Sequence, residues 1–313
     1  MIFTLTLNPA FDLHYEMEEF LPESENYVKR ALKSAGGKGI NVSKALSVLG
    51  CENRAFAVLG SENSAEFLKE LPELDLSVIE TEGRIRENIT IHPECGRETR
   101  ISLDNFFLSS EILRDIEKKL IPLLSEESIV VFAGKCPKGV KKAEIVDFLL
   151  KIRLAGARLV IDSKSFDLTD LSLLKPFLIK PNEEEIKALL NAPGEKLPDA
   201  AKRLNDVGIE NVMISLGSEG IFYSGCGESF TVKAPEIMPV STIGAGDSSI
   251  AGFIAGICRG LSKKETVCLA VASGSAACLS EGTLPPKKDD IERLYKAAGE
   301  GLNYIKEKNK KEV

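Results

Sequence analysis

Asp247 follows Gly244-Ala245-Gly246 and opens a run in which Ile250, Phe253, Ile254 and Ile257 recur at helical spacing. Three residues with little or no side chain leave their N–H groups open to a negatively charged oxygen, and the positive end of a helix begins at once. A carboxylate standing beside such an anion site is the pairing that phosphoryl transfer to a hydroxyl requires. Aspartate in a first turn also caps helices, so the local pattern leaves both roles open. A second glycine-rich turn, Gly36-Gly37-Lys38-Gly39-Ile40-Asn41, carries a lysine into a helix whose apolar face is Val42, Ala45, Leu46 and Leu49. It is not a Walker A loop, because Gly39 rather than Ser or Thr follows Lys38. Arg84, Arg86 and Arg100 add guanidinium groups suited to phosphate oxygens.

These residues need elements to position them. Residues 2–7 read as a first strand closing on Asn8-Pro9, which delivers Asp12 to a strand end. Residues 12–34 and 84–105 lack the strand–helix rhythm and alternate instead, with Glu16, Glu18 and Glu19 reading as an exposed edge; they predict a small β-strand lid. From Ser109 onward helices and strands alternate, which predicts an α/β domain with a central, mostly parallel sheet covered by helices on both faces. Functional loops then belong at the C-terminal ends of the strands. Three such ends stand out. Lys180-Pro-Asn182-x-x-Glu185 begins a helix with oxygen donors that suit Mg²⁺ held through water, although acidic residues are favourable at any helix start. Ser215-Leu-Gly217-Ser218-Glu219-Gly220 is a strand and glycine turn, and the third end is the turn before Asp247. Gly274 lies in a helix of small residues, 267–278, able to pack closely against a flat ligand or another helix.

The 313 residues are 43% hydrophobic, carry a formal charge of −7, and show no repeat or low-complexity linker, so they read as a single domain, 1–313. The acidic balance disfavours nucleic acid and anionic membranes as partners, and no apolar run approaches the roughly 20 residues that span a bilayer. Two histidines exclude a histidine-rich zinc site. Seven cysteines without a Cys-x-x-Cys, Cys258, Cys268 and Cys278 among them in apolar helical surroundings, read as reduced core residues. With no secretory leader, this predicts a cytoplasmic protein.

In order and separation, Gly36-Gly-Lys38-Gly-Ile-Asn41, Lys180-Pro-Asn182-x-x-Glu185, Ser215-Leu-Gly-x-x-Gly220 and Ile243-Gly-Ala-Gly-Asp247 resemble the motifs of the PfkB, or ribokinase-like, carbohydrate kinases over nearly the whole chain. Asn8-Pro-Ala-Phe-Asp12, Lys38 and Arg86-x-Asn88 resemble the branch of that family acting on sugar phosphates. The resemblance implies ATP and Mg²⁺ as cofactors, with fructose 1-phosphate as first substrate and tagatose 6-phosphate or fructose 6-phosphate as alternatives. It makes Asp247 the base and Gly244, Ala245 and Gly246 the anion hole. Asp12 and Asn41 would hold sugar hydroxyls, and Lys38 and Arg86, with Gly37 and Asn88 beside them, the substrate's phosphate. Lys180, Ser215, Gly217, Ser218, Glu219, Gly220, Gly246 and Gly274 would line the nucleotide site, and Asn182 and Glu185 would order Mg²⁺ through water. The lid would close over the sugar, and family lids often meet across a homodimer. Ser241 stands where the family often has an aspartate tied to a monovalent cation, so the resemblance does not carry potassium dependence over. A sugar-phosphate sensor without catalysis is the alternative from another class; the intact Asp247 turn argues against it. A dinucleotide-binding reading of Gly244-x-Gly246-x-x-Ser249 fails on its missing third glycine and its distance from the first strand.

Overall fold

The structure, a computed structural model, describes residues 1–103 and 106–311. The ends of two expected ranges, the lid to 105 and the domain to 313, lie outside the described residues. The strands in chain order are β1 (Ile2–Thr6), β2 (Ala10–Glu19), β3 (Arg30–Gly36), β4 (Asn53–Gly60), β5 (Leu76–Thr81), β6 (Arg86–Cys95), β7 (Thr99–Ser102), β8 (Ile129–Ala133), β9 (Arg158–Asp162), β10 (Leu178–Ile179), β11 (Asn211–Ser215), β12 (Ile221–Gly225) and β13 (Glu228–Val232). The helices are α1 (Lys38–Val48), α2 (Ser64–Lys69), α3 (Ser110–Leu120), α4 (Lys142–Leu154), α5 (Leu168–Leu174), α6 (Glu183–Leu190), α7 (Leu197–Asp206), α8 (Ala245–Cys258), α9 (Lys263–Ala277) and α10 (Lys288–Lys311).

Nine strands form the main sheet in the order β13-β12-β11-β10-β9-β8-β1-β4-β5. Pairing is parallel from β5 through β11, and β12 and β13 return antiparallel at one edge. Its faces follow from the two-residue period of a strand. Phe3, Leu5, Val130, Phe132, Leu159, Ile161, Val212 and Ile214 pack against α3 to α7, including Ile116, Phe148, Leu149 and Leu204. The intervening Ile2, Ile129, Val131, Val160, Leu178 and Met213 pack against α1, α8 and α9 through Val42, Leu46, Phe253 and Leu269. Both faces are therefore covered, and the strands read as nearly continuous apolar runs.

A second sheet of four strands, β3-β2-β6-β7, stands apart and is built from the two segments that broke the α/β rhythm. Three details differ from the sequence reading. β2 is interior as far as Glu16, paired with β3 on one side and β6 on the other, and only Glu18 and Glu19, beyond the last β3 pair, lie along β6 alone. β5 belongs to the main sheet, where Leu76 to Thr81 pair with β4. The seven cysteines are free, but Cys258 is exposed at the end of α8; of the three helical cysteines only Cys268 is fully buried. Among the described residues no helix is long and apolar enough to cross a membrane.

Candidate active site

The register of the main sheet explains why the charged groups converge. Asp162 ends β9 two residues after Val160, and Lys180 follows β10 two residues after Leu178; Val160 and Leu178 are paired and face α1 and α8. Asp162 and Lys180 thus emerge together at the C-terminal edge, on the side where α1 brings Lys38 and Asn41 and α8 brings Asp247. Lys38 Nζ donates to Asp162 Oδ2 at 2.8 Å, and Lys180 Nζ lies 3.8 Å from Asp162 Oδ1. Asp162 and Lys180 are 5% and 8% exposed, so this pair is buried, whereas Lys38 reaches it with its side chain about half exposed. Burial alone would raise the Asp162 carboxyl, yet Lys180 and Lys38 outweigh it and hold it below its ordinary value. For Lys38 burial opposes the charge, and Asp162, Asp247 and Glu185 overcome it and raise the ammonium.

Asp247 sits at the third position of α8, and its side chain does not cap the helix. Gly244 occupies the cap position at φ 79°, a left-handed conformation that glycine adopts without strain, and no side chain bonds to that terminus. The first-turn N–H groups therefore carry no protein side-chain acceptor, as an anion site needs. Instead, Asp247 Oδ2 accepts from Asn41 Nδ2 at 3.0 Å. Asp247 is 6% exposed. Burial pushes its carboxyl up to about 6; Lys38 pulls against this, Asp162 adds to it, and Asn41 and Lys180 restrain it. A carboxylate poised there can accept a proton near neutral pH.

Two cavities flank the cluster. One, of about 640 Å³, is lined by Ser215, Gly217, Ser218, Gly220, Gly246 and Gly274, six of the eight residues expected at a nucleotide. Glu219 is not among its walls. Gly274 also has a structural duty, because a Cβ there would overlap Ser249 Oγ on α8, and at Gly252 one would come within 2.6 Å of the Leu269 carbonyl on α9. The other cavity, of about 520 Å³, contains Asp162, Lys180 and Glu185. At their meeting point, a Cβ on Gly246 would stand 2.9 Å from Lys180 Nζ. Asn182 and Glu185 form a reciprocal cap, Asn182 Oδ1 accepting from Glu185 N at 2.8 Å and Glu185 Oε2 from Asn182 N at 3.0 Å. Glu185 Oε1 also pairs with Lys164 at 3.1 Å. Among the described residues no group of three or more His, Cys, Asp or Glu could hold a metal ion.

The small sheet supplies a separate polar group. Asp12 Oδ1 accepts from Asn88 Nδ2 at 2.9 Å, and Arg86 donates to Asn88 Oδ1 at 2.9 Å. Burial raises the Asp12 carboxyl, with the Asn88 hydrogen bond, His14 and Lys44 acting against it. The structure therefore divides the expected phosphate pair: Lys38 joins Asp162, Lys180 and Asp247, whereas Arg86 joins Asn88 and Asp12. Gly37 is the turn residue before α1, at φ 122°. Arg84 and Arg100 face Glu87 and Glu98 and belong to neither group. The sequence reading passed over Asp162, whose signal was available as a lone acid at the end of an apolar strand. It also passed over Thr283, which bonds Ser34 at 2.9 Å and helps to restrain the Asp12 carboxyl from a loop with no legible pattern.

Residues 6–290 match the family described as pfkB family carbohydrate kinase. A 1-phosphofructokinase of Borreliella burgdorferi is 35% identical over 285 residues, spanning 89% of this chain and 92% of that protein. A tagatose-6-phosphate kinase of Staphylococcus epidermidis is 30% identical over 310 residues, spanning 95% and 98%. Phosphofructokinase-2 from Escherichia coli, crystallised with substrates and products, superimposes with a TM-score of 0.88 at 27% identity, spanning 95% of this chain and 99% of that one. With the four ordered motifs, the doubly covered sheet and the match along nearly its whole length, the chain belongs to the pfkB family of carbohydrate kinases.

Proposed function

We propose that the protein transfers the γ-phosphoryl group of ATP to the 6-hydroxyl of fructose 1-phosphate, giving fructose 1,6-bisphosphate and ADP. The observation that carries the reading is Asp247, buried, held by Asn41, raised to about 6, and set in the uncapped first turn of α8. Its carboxylate accepts the hydroxyl proton as the oxygen attacks phosphorus, while the bond to the ADP oxygen breaks. The N–H groups of Gly244, Ala245 and Gly246 receive the charge on the phosphoryl oxygens, where positioning and electrostatics supply most of the catalysis. Lys38, bound to Asp162 and close in charge to Asp247, serves the transferring phosphoryl group in this reading; the sugar's own phosphate falls to Arg86, beside Asn88 and Asp12. The 640 Å³ cavity takes the nucleotide.

The donor set fits Mg²⁺ as a partly hydrated ion carried by the triphosphate, not as an ion in a protein cage, because Asn182 and Glu185 are committed to capping. Glu185, in the cavity with Asp162, is the residue to meet its water shell, with Asn182 fixing Glu185. When bound, the ion would supply charge neutralisation on the phosphates.

The small sheet acts as the lid over the sugar. Tyr27 at 75% exposure, with Ile101 and Leu103, leaves apolar area that supports a homodimer through the lid. Sedimentation should then give twice the chain mass, and a monomer would refute that arrangement. The Staphylococcus epidermidis relative supports tagatose 6-phosphate as the second substrate reading. A panel of phosphorylated and free ketoses with ADP release as readout decides between them. The highest kcat/KM for fructose 1-phosphate is expected, and no ADP release above background with any ketose phosphate would overturn the kinase reading.

A further inference from the structure

Lys44 is a charged residue that the phosphoryl-transfer chemistry leaves unused. It lies on α1 three residues beyond Asn41, between core positions Val42, Ala45 and Leu46. Its Nζ donates to the carbonyl of Ala35, in β3, at 2.6 Å, and it forms no ion pair with any described residue. An ammonium has three N–H donors and is strongly hydrated in water. Holding one against a single carbonyl is costly, and an apolar side chain would pack α1 against β3 at less expense. The position of Ala35 suggests what offsets that cost. Ala35 pairs with Phe11, and the next pair is Ser34 with Asp12. The Asp12 carboxylate lies over Gly36, where a Cβ would overlap its Oδ2. The cation and the acid therefore flank the same short piece of backbone, at the root of the small sheet.

We propose that Lys44 is a positioning residue for the sugar site: its ammonium ties α1 to β3 at Ala35 and so fixes the backbone over which Asp12 presents its carboxylate to the sugar's hydroxyls. The inference rests on the reading of Asp12 as a sugar ligand. The charged groups facing Lys44 are Asp12 from β2 and Glu70 from the end of α2; those facing Asp12 are Lys44 and His14. Burial brings Lys44 down to about 8 against the pull of these two acids. Its charge is therefore lost as pH rises through about 8, and the charge-assisted bond that ties α1 to Ala35, beside Asp12, weakens. Lys38 cannot be the source of such a change, because its ammonium is raised.

The test is steady-state ADP release with fructose 1-phosphate between pH 6 and pH 10, varying sugar and ATP separately. In the wild type, kcat/KM for the sugar should fall above about pH 8, while KM for ATP stays level. Lys44→Arg should bind the sugar and lose this alkaline limb, since guanidinium remains charged throughout. Lys44→Met should raise KM for the sugar by about tenfold at pH 7, the worth of one hydrogen bond from a charged donor. A wild type with no alkaline limb, or a Lys44→Arg enzyme with an unshifted limb, overturns the proposal even where Lys44→Met does not fold. Asp12→Asn separates the two layers: an unchanged sugar KM overturns the sugar-site reading, whereas a raised KM beside an unaffected Lys44→Met overturns the role of Lys44 alone.

Discussion

Replacing Asp247 by asparagine should slow transfer severely and at the same time make the protein more stable at neutral pH. Asparagine keeps a carbonyl oxygen for Asn41 Nδ2 and nearly the same volume, but it carries no charge to bury. The Asp247 carboxyl rises from 3.8 in the unfolded chain to about 6 in the folded one, with burial as the largest cause. A group raised in the folded state contributes stability that is fully present below pH 3.8 and is lost as pH rises through about 6. At about 1.4 kcal/mol per unit, that interval amounts to about 3 kcal/mol of destabilisation in the wild type at pH 8. By the same linkage the loss is about 1.6 kcal/mol at pH 5. Urea unfolding of both chains at pH 5 and pH 8, with ADP release measured in parallel, makes the comparison. The Asp247→Asn variant should be the more stable at both, with the gap widening by about 1.4 kcal/mol between them, and turnover should fall by about 10² to 10⁴. A constant gap, or a wild type that is the more stable at pH 8, would refute the reasoning that the base is a carboxylate whose burial outweighs its partners.

Three further outcomes are expected. The acid limb of the wild-type kcat/KM profile should centre near pH 6, and Asn41→Ala should move it upward by about one to two units, the worth of a hydrogen bond to a charged acceptor; an unmoved limb would remove Asn41 from the control of the base. Lys38→Ala should lower kcat by about 10² to 10³ with little change in KM for the ketose phosphate, whereas Arg86→Ala should raise that KM by at least about tenfold. Equal effects on sugar KM would return Lys38 to the sugar's phosphate. Gly274→Ala should destabilise the chain by about 1–3 kcal/mol in urea unfolding, because a methyl group meets Ser249 of α8.

Period and punctuation carried most of the architecture. The apolar runs of β1, β8, β9 and β11 and the stripes of α1, α4 and α8 appear where pattern alone puts them. β3 was not legible because Arg-Ala-Leu-Lys-Ser-Ala-Gly has no β-branched residue and becomes a strand only through pairing with β2. β5 was not legible as a main-sheet strand because Leu-Ser-Val-Ile-Glu-Thr alternates as a hairpin strand would, and its parallel partner β4 is remote in pattern. In the site, residue types announced the chemistry and distances did not. Lys38 and Arg86 looked equivalent as cations until the register of β9 and β10 brought Asp162 and Lys180 to Lys38. Asn182 and Glu185 have the composition of a metal shell and also that of a helix cap, and in the structure their oxygens meet backbone and Lys164.

The bond between Asn41 and Asp247 joins residues 206 positions apart. During synthesis, β1, α1, β4 and β8 all leave the ribosome before α8, the helix that covers Val42, Leu46 and Val131, has been made. At about 5–20 residues per second the interval between Asn41 and Asp247 is about 10 to 40 seconds. For that time the nascent chain presents one face of its central strands without the helix that will bury it. The Asn41–Asp247 bond and the covering of that apolar face are thus completed by the same late event. Substitutions at the α8–α9 seam should therefore reduce the yield of soluble protein before they reduce the turnover of what has folded.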